Sequence, residues 1–154
     1  MSTERIAAPT PQGNYVPAVY RDGVVYTAGM TPRRDGVLAY RGIVGDSLTL
    51  DQAREAAALA AANALTAVWS AMPEGTTRVT CLRMTVFVAC APGFTDLSAV
   101  ADGALVALQE QLGAAALPAR SAIGVLALPS GAPVEVELTA ARETGTLGAA
   151  APRT

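Results

Sequence analysis

The sequence contains no histidine and no lysine. Without histidine, the chain has none of the Ser-His or Cys-His pairs that activate a nucleophile, and it has no His-containing zinc site. Acid–base chemistry near neutral pH would have to come from carboxylates, tyrosine, cysteine or water held by the backbone. This absence excludes many enzyme classes.

Positive charge is also scarce, because the sequence has eleven basic and thirteen acidic residues, which gives a net charge of −2. Such a chain lacks the electrostatic footprint of a nucleic-acid-binding protein, so we expect no nucleic-acid partner. The only basic pair, Arg33-Arg34, stands between Pro32 and Asp35-Gly36. This setting predicts a solvent-exposed turn.

Cysteines and long apolar runs are few as well. Cys81 and Cys90 are too few and too far apart for a metal site or redox pair, so we interpret them as reduced core residues and expect no metal. Asn63 and Thr66 interrupt the alanine-rich stretch 56–69, and no transmembrane helix is expected. The polar N-terminus does not resemble a signal peptide. We therefore expect a soluble cytoplasmic protein without a membrane partner.

The length of 154 residues predicts one domain over 1–154. Residues 1–13 lack periodicity and predict an extended arm, and the Gly/Ala/Pro-rich residues 143–154 predict a loose tail. Between them, Asp22-Gly23 predicts a hairpin, and Thr49 with Gln52 predicts a capping box that begins a mostly alanine-faced helix. The predicted elements are strands at 15–20, 24–28 and near 37–38, a helix at 50–72, a strand at 79–90, a helix at 94–113, and strands at 120–128 and 134–142.

This order predicts an α+β fold in which two helices pack on one face of a single sheet. In the strand 79–90, alternation predicts that Leu82 shares a face with Met84, opposite Cys81. Several strands are apolar or small on both faces, as Ile123 and Ala122 illustrate. The second face of the sheet needs cover, so we predict homo-oligomerisation through it.

Arg120 is the only charged residue between Glu110 and Glu135, and it opens an apolar strand. A guanidinium cannot be deprotonated, so a buried arginine needs an anionic or hydrogen-bonding partner. That partner is either Glu135 or Glu137 in a structural ion pair, or the carboxylate of a ligand.

Glu135 and Glu137 share one face of the last strand. They are either exposed carboxylates on an edge strand, or partly desolvated groups at the oligomer face, where one could have a raised pKa and act as an acid or base. Tyr15, at the start of the first strand, either packs or closes a pocket.

Several short motifs occur together in the order and spacing of a known family. They are Gly13-Asn14-Tyr15, Tyr26-Thr27-Ala28-Gly29, Val86-Phe87-Val88, Pro118-Ala119-Arg120-Ser121 and Val134-Glu135-Val136-Glu137. Over residues 13–142 the chain resembles the Rid/YjgF family, also called the L-PSP endoribonuclease family. The Pro-Ala-Arg-Ser element followed by Glu135 is the most specific part of the match.

The resemblance implies a chorismate-mutase-like fold, a single mixed sheet with two helices on one face, assembled as a homotrimer with clefts between subunits. It implies hydrolytic deamination of small reactive enamines or imines to ketoacids and ammonia, without metal or organic cofactor. By the same resemblance, Arg120 binds a substrate carboxylate and Glu135 positions or activates water. Tyr15 and the backbone around Gly29 line the pocket.

Four positions depart from the family pattern. Ala28-Gly29-Met30 stands where many members have Ser-Gly-Gln, Ala122 where deaminating members often have Cys, and Asp102 where Asn is expected. Three hypotheses follow: a deaminase of a small carboxylated imine, a repurposed cleft for a larger, less polar metabolite, and the ribonuclease of the family's older name. Asp102 would repel an anionic substrate unless Arg120 offsets its charge.

Overall fold

The computed structural model describes residues 6–144. Within this range the chain forms two α-helices, one short 3-10 helix (Pro129–Gly131) and seven strands, and residues 6–17 form none of these. The elements are β1 (Ala18–Arg21), β2 (Val24–Thr27), β3 (Arg33–Arg34), β4 (Val37–Leu38), α1 (Leu50–Ala71), β5 (Val79–Ala89), α2 (Leu97–Leu112), β6 (Ala119–Val125) and β7 (Val134–Arg142). The predicted tail lies largely outside the described residues.

Five strands form one mixed sheet in the order β1-β2-β7-β5-β6. The β5–β6 pair is parallel, and the other pairs are antiparallel. Helix α1 packs on β7, β2 and β1, and α2 packs on β5 and β6. This confirms the predicted α+β, chorismate-mutase-like architecture with two helices on one sheet face.

Helix α1 begins as the capping box predicts. The Thr49 hydroxyl accepts a hydrogen bond from the Gln52 backbone N–H at 3.2 Å, and the Gln52 side chain accepts one from the Thr49 N–H at 2.9 Å. The alanine face of α1 is buried, which lets α2 approach closely. A Cβ atom built on Gly103 would lie 2.7 Å from the Arg54 Cα, so only glycine fits at this crossing.

The predicted faces of β5 are wrong at its beginning. A bulge lies between Cys81 and Arg83 in the pairing with β7, so Leu82 is the extra residue. Cys81 therefore joins Met84 in the core, while Leu82 is 45% exposed. Burial raises the pKa of the Cys81 thiol to about 11, as expected for an inert core cysteine.

Strands β3 and β4 form a separate two-stranded hairpin around the predicted turn at Asp35-Gly36. Arg33 was expected to be exposed to solvent, but it is half-buried. Its guanidinium donates to Thr31 Oγ1, the Gly36 carbonyl and Ser130 Oγ. It therefore fixes the hairpin.

The sheet face opposite the helices is uncovered in a single copy of residues 6–144. Tyr26 and Ile123, on this face, are 53% and 41% exposed. Within the same range, neither helix is both long and apolar enough to cross a lipid bilayer.

Candidate functional site

Glu135 projects from the centre of the uncovered sheet face. Its strand, β7, lies between β2 and β5, so the edge-strand interpretation of Glu135 and Glu137 is wrong. Val134, Val136 and Leu138 alternate with the two carboxylates and are buried under the helices. Burial, and secondly the charge of Glu137 on the same face, raises the pKa of Glu135 above its ordinary value.

The Glu135 carboxylate lies against Gly29. A Cβ atom at Gly29 would be 2.6 Å from the Glu135 Cδ and 2.8 Å from its Cγ, so any side chain there would displace the carboxylate. Gly29 and Tyr15 line one cavity of about 320 Å³. The structure thus puts Gly29 against Glu135 on one side and beside Tyr15 and Met30 in the cavity, which Glu135 does not line.

Two features fix the walls of this region. The Tyr15 hydroxyl accepts a hydrogen bond from the Gln12 backbone N–H at 3.1 Å, which ties the ring to the N-terminal arm. Met30 exchanges backbone hydrogen bonds of 2.8 and 2.9 Å with Val136, so it continues the sheet beside β7. The Met30 side chain is only 8% exposed and reaches both the core and the cavity.

Arg120 lies elsewhere, on the edge strand β6. Its register partner in β5 is Met84, so its side chain is on the helix-covered face. Nη2 of Arg120 donates to Asp102 Oδ1 at 2.7 Å and to Ser98 Oγ at 2.9 Å, both on α2. The alternative of a structural ion pair with Glu135 or Glu137 is therefore wrong, and Asp102 is the ion-pair partner.

The second terminal nitrogen of Arg120 is not satisfied. Nη1 is buried and has no hydrogen-bond partner among the described residues. A buried charged donor without an acceptor costs free energy, about 1–3 kcal/mol or more. Arg120 therefore offers one donor that an incoming acceptor could use.

The two groups of site residues do not meet within one chain. Arg120 is on the helix-covered face and Glu135 on the open face, and the whole of β5 separates their strands. Ala122 is on the same face as Arg120, opposite Val86, and is half-buried. Arg120, Asp102 and Ala122 form one half of the candidate site; Glu135, Gly29 and Tyr15 form the other, beside Met30.

Sequence reasoning missed three residues of these halves. Ser98 holds Arg120, and its signal was available, because Ser98 and Asp102 are four residues apart on a helix and share a face. Asn63 and Thr66 of α1 line the cavity beside Tyr15. Their position beside the arm depends on tertiary packing and has no local signal in the sequence.

Comparison with known proteins agrees with this architecture. Atu1372, a protein with unknown function from Agrobacterium tumefaciens, superposes with a TM-score of 0.78 at 31% identity, over 84% of this chain and 82% of that one. Escherichia coli TdcF with bound serine gives a TM-score of 0.62 at 26% identity, over 91% and 97%. Protein TCP17 of Trypanosoma cruzi is 33% identical over 135 residues, which are 85% of this chain and 82% of that protein.

The fold thus defines a small chorismate-mutase-like domain, and its candidate site residues fall into two separate groups. The model of the family named Endoribonuclease L-PSP matches residues 5–142. The chain belongs to this family, which confirms the Rid/YjgF resemblance.

Proposed function

We propose that the protein hydrolyses a carboxylated imine or enamine to a carbonyl compound and ammonia. The observation that carries this proposal is the half-buried Glu135 carboxylate, which lies against Gly29 on the uncovered sheet face. A carboxylate whose pKa is raised by burial is a stronger base than one in water.

The proposed chemistry needs only water and the two charged residues. Glu135 accepts a proton from water while the water oxygen bonds to the imine carbon, and the C=N π electrons move to nitrogen. For the protonated imine, the nitrogen of the resulting carbinolamine then takes the proton held by Glu135. As the C–N bond breaks, the hydroxyl proton passes to Glu135 and the carbonyl forms; ammonia leaves and takes up that proton as ammonium. Arg120 binds the carboxylate of the substrate through Nη1, which orients the electrophilic carbon.

This function requires two copies of the chain at each site, because Arg120 and Glu135 are on opposite sheet faces. The β6 edge with Asp102 would come from one copy and the Gly29–Glu135 surface from another. Two different surfaces meeting in this way form a heterologous interface, which closes into a ring. We propose the homotrimer as that ring.

One structural relative supports a ligand of this size and charge. The TdcF structure contains bound serine, a small molecule with a carboxylate and an amino group. A ligand with the same two groups fits a site that pairs an arginine donor with a carboxylate base.

The first experiment follows 2-iminopropionate, formed in situ from L-alanine by an amino-acid oxidase, through its ammonia release. The wild-type protein should accelerate this release, and Arg120→Ala and Glu135→Gln should each lose most of the acceleration. Equal rates with and without the wild-type protein would refute the proposed function.

A mixing experiment tests whether two copies share each site. Arg120→Ala and Glu135→Ala chains are refolded separately and then together in equal amounts. Random assembly should restore about a quarter of the wild-type sites, since one interface in four combines the intact Arg120 with the intact Glu135. No recovery, with mixed oligomers verified by mass spectrometry, would place the whole site within one chain.

A further inference from the structure

We infer that a second copy of this chain covers the open sheet face and that Arg83 of one copy forms an ion pair there with Glu137 of the next. The inference rests on the proposed two-copy site for the placement of the copies, but the two charges are described independently of that site. In the pairing of β5 with β7, Arg83 is opposite Thr139 and Glu137 is opposite Thr85. Both charged side chains therefore share the uncovered face with Glu135.

Neither charge is paired within one chain. Among residues 6–144, no carboxylate oxygen is within 4.0 Å of the Arg83 guanidinium, and no arginine nitrogen is within 4.0 Å of the Glu137 carboxylate. Instead, Arg83 Nη2 donates to Ser121 Oγ at 2.8 Å. Ser121 is on β6 and Glu137 is on β7, with β5 between them, so the guanidinium extends away from Glu137.

The surroundings of the two charges favour burial against a partner. Val19, Tyr26 and Ile123 are exposed on the same face. A cavity of about 140 Å³ on this face is lined by Tyr26, Arg83 and Glu137, which leaves room beside the carboxylate for an incoming side chain. A partner that covers the face removes water from both charges, and this costs free energy unless each charge meets an opposite one.

Charge complementarity favours another copy of the chain as that partner. A face that presents one arginine and one glutamate is complemented by a face that presents the same two residues. Identical copies therefore satisfy both charges at once.

The two charges also lie on the two halves of the proposed site. The Arg83 guanidinium lies over β6, where Ser121 directly follows Arg120 in the chain. Glu137 is two residues after Glu135 on the same face of β7. The contact that joins the two halves of the site therefore also brings the two unpaired charges together.

Charge reversal tests the ion pair, with assembly measured by light scattering and native mass spectrometry at micromolar concentration. The wild type should be an oligomer. Arg83→Glu and Glu137→Arg should each raise the dissociation constant about a hundred-fold, because each reversal puts like charges together across the interface. The double variant should assemble again. Glu110→Arg makes the same charge change on the exposed surface of α2, and this control should assemble like the wild type.

A mixing experiment separates a contact between copies from a contact within one chain. When Arg83→Glu chains meet Glu137→Arg chains, an interface between the two variants joins opposite charges, whereas an interface between identical variants joins like charges. In a ring of three, two interfaces of every mixed ring are of the favourable kind. Mixed oligomers should therefore form from two variants that do not assemble alone. A pair within one chain would give no such recovery.

A monomeric wild type, reversed variants that assemble like the wild type, or a mixture without mixed oligomers overturns the inference. If circular dichroism shows that a reversed chain does not fold, Arg83→Gln and Glu137→Gln replace it. Each should raise the dissociation constant about ten-fold, and unchanged values overturn the inference.

These outcomes are distinct from those of the proposed function. If the variants and their mixture behave as expected but no imine is hydrolysed, the interface inference stands and the proposed deaminase function fails. If 2-iminopropionate is hydrolysed by an oligomer that both reversals leave intact, the proposed function stands and the interface inference fails.

Discussion

Replacing Asp102 by asparagine should strengthen the binding of small carboxylates at Arg120. In the protein, Asp102 Oδ1 accepts from Arg120 Nη2 at 2.7 Å, and Nη1 is left for a ligand. A ligand carboxylate on Nη1 would be roughly 5 Å from the Asp102 carboxylate, given ordinary hydrogen-bond lengths. Asparagine keeps an oxygen acceptor for Nη2 but removes the negative charge.

The size of the effect follows from the exposure of the pair. The side chains of Arg120 and Asp102 are 24% and 51% exposed, so the effective dielectric is between the surface and bulk-water values. At about 5 Å the repulsion is then roughly 1–2 kcal/mol, which corresponds to about a ten-fold gain in affinity when it is removed. The gain should shrink in high salt, because ions screen a half-exposed charge.

Calorimetric titration with pyruvate is the assay, supported by KM for 2-iminopropionate. Asp96→Asn is the matched control, since it makes the same charge change at the N-terminus of α2, where Asp96 forms no side-chain cap. An unchanged or weaker affinity in Asp102→Asn, with the control also unchanged, would refute the reasoning. Nη1 would then not be the group that meets the carboxylate.

Three further outcomes are expected. Burial raises the pKa of Glu135, so the stability that this group contributes is present below about pH 4 and is lost as the pH rises through the raised pKa. Glu135→Gln should therefore have a higher melting temperature than the wild type at pH 8. At pH 4 this difference in melting temperature should vanish. Gly29→Ala should displace the Glu135 carboxylate and lower kcat about ten- to hundred-fold with little change in melting temperature, and a kcat equal to wild type would contradict the contact. Gly103→Ala should lower the free energy of unfolding, measured by urea denaturation, by about 1–3 kcal/mol, because the added Cβ meets the Arg54 backbone. Val106→Ala, on the exposed side of α2, should have a smaller effect.

Local signals predicted much of the fold. The capping box at Thr49 fixed the start of α1, and Asp22-Gly23 fixed the first hairpin, where both residues have positive φ angles of 48° and 87°. The alternation in β7 correctly separated Glu135 from the core positions. These features depend on neighbours within about four residues, which a sequence displays directly.

The features that the sequence did not predict depend on the register between strands that are distant in the chain. The bulge at Leu82 exists only in the pairing of β5 with β7, so strict alternation put Leu82 and Cys81 on the wrong faces. The parallel pairing of β6 with β5 puts Arg120 over α2. The sequence suggested Glu135 and Glu137 instead, because they are the acidic residues of the strand that follows β6. The alternative of an ion pair between Arg120 and Glu135 or Glu137 was wrong for this reason.

The separation of Arg120 from Glu135 argues for the proposed two-copy site. Among residues 6–144, Nη1 of Arg120 is the only buried side-chain nitrogen or oxygen without a partner, and Glu135 has a carboxylate pKa raised by burial. Placed on one sheet face, the two side chains could have relieved each other as an ion pair, at a gain in stability. On opposite faces they cannot, and each remains available to a ligand and a water molecule. Neither the unpartnered Nη1 of Arg120 nor the burial of the Glu135 carboxylate stabilises a single chain. This arrangement is expected if, as we propose, a second copy brings the two halves together around the substrate.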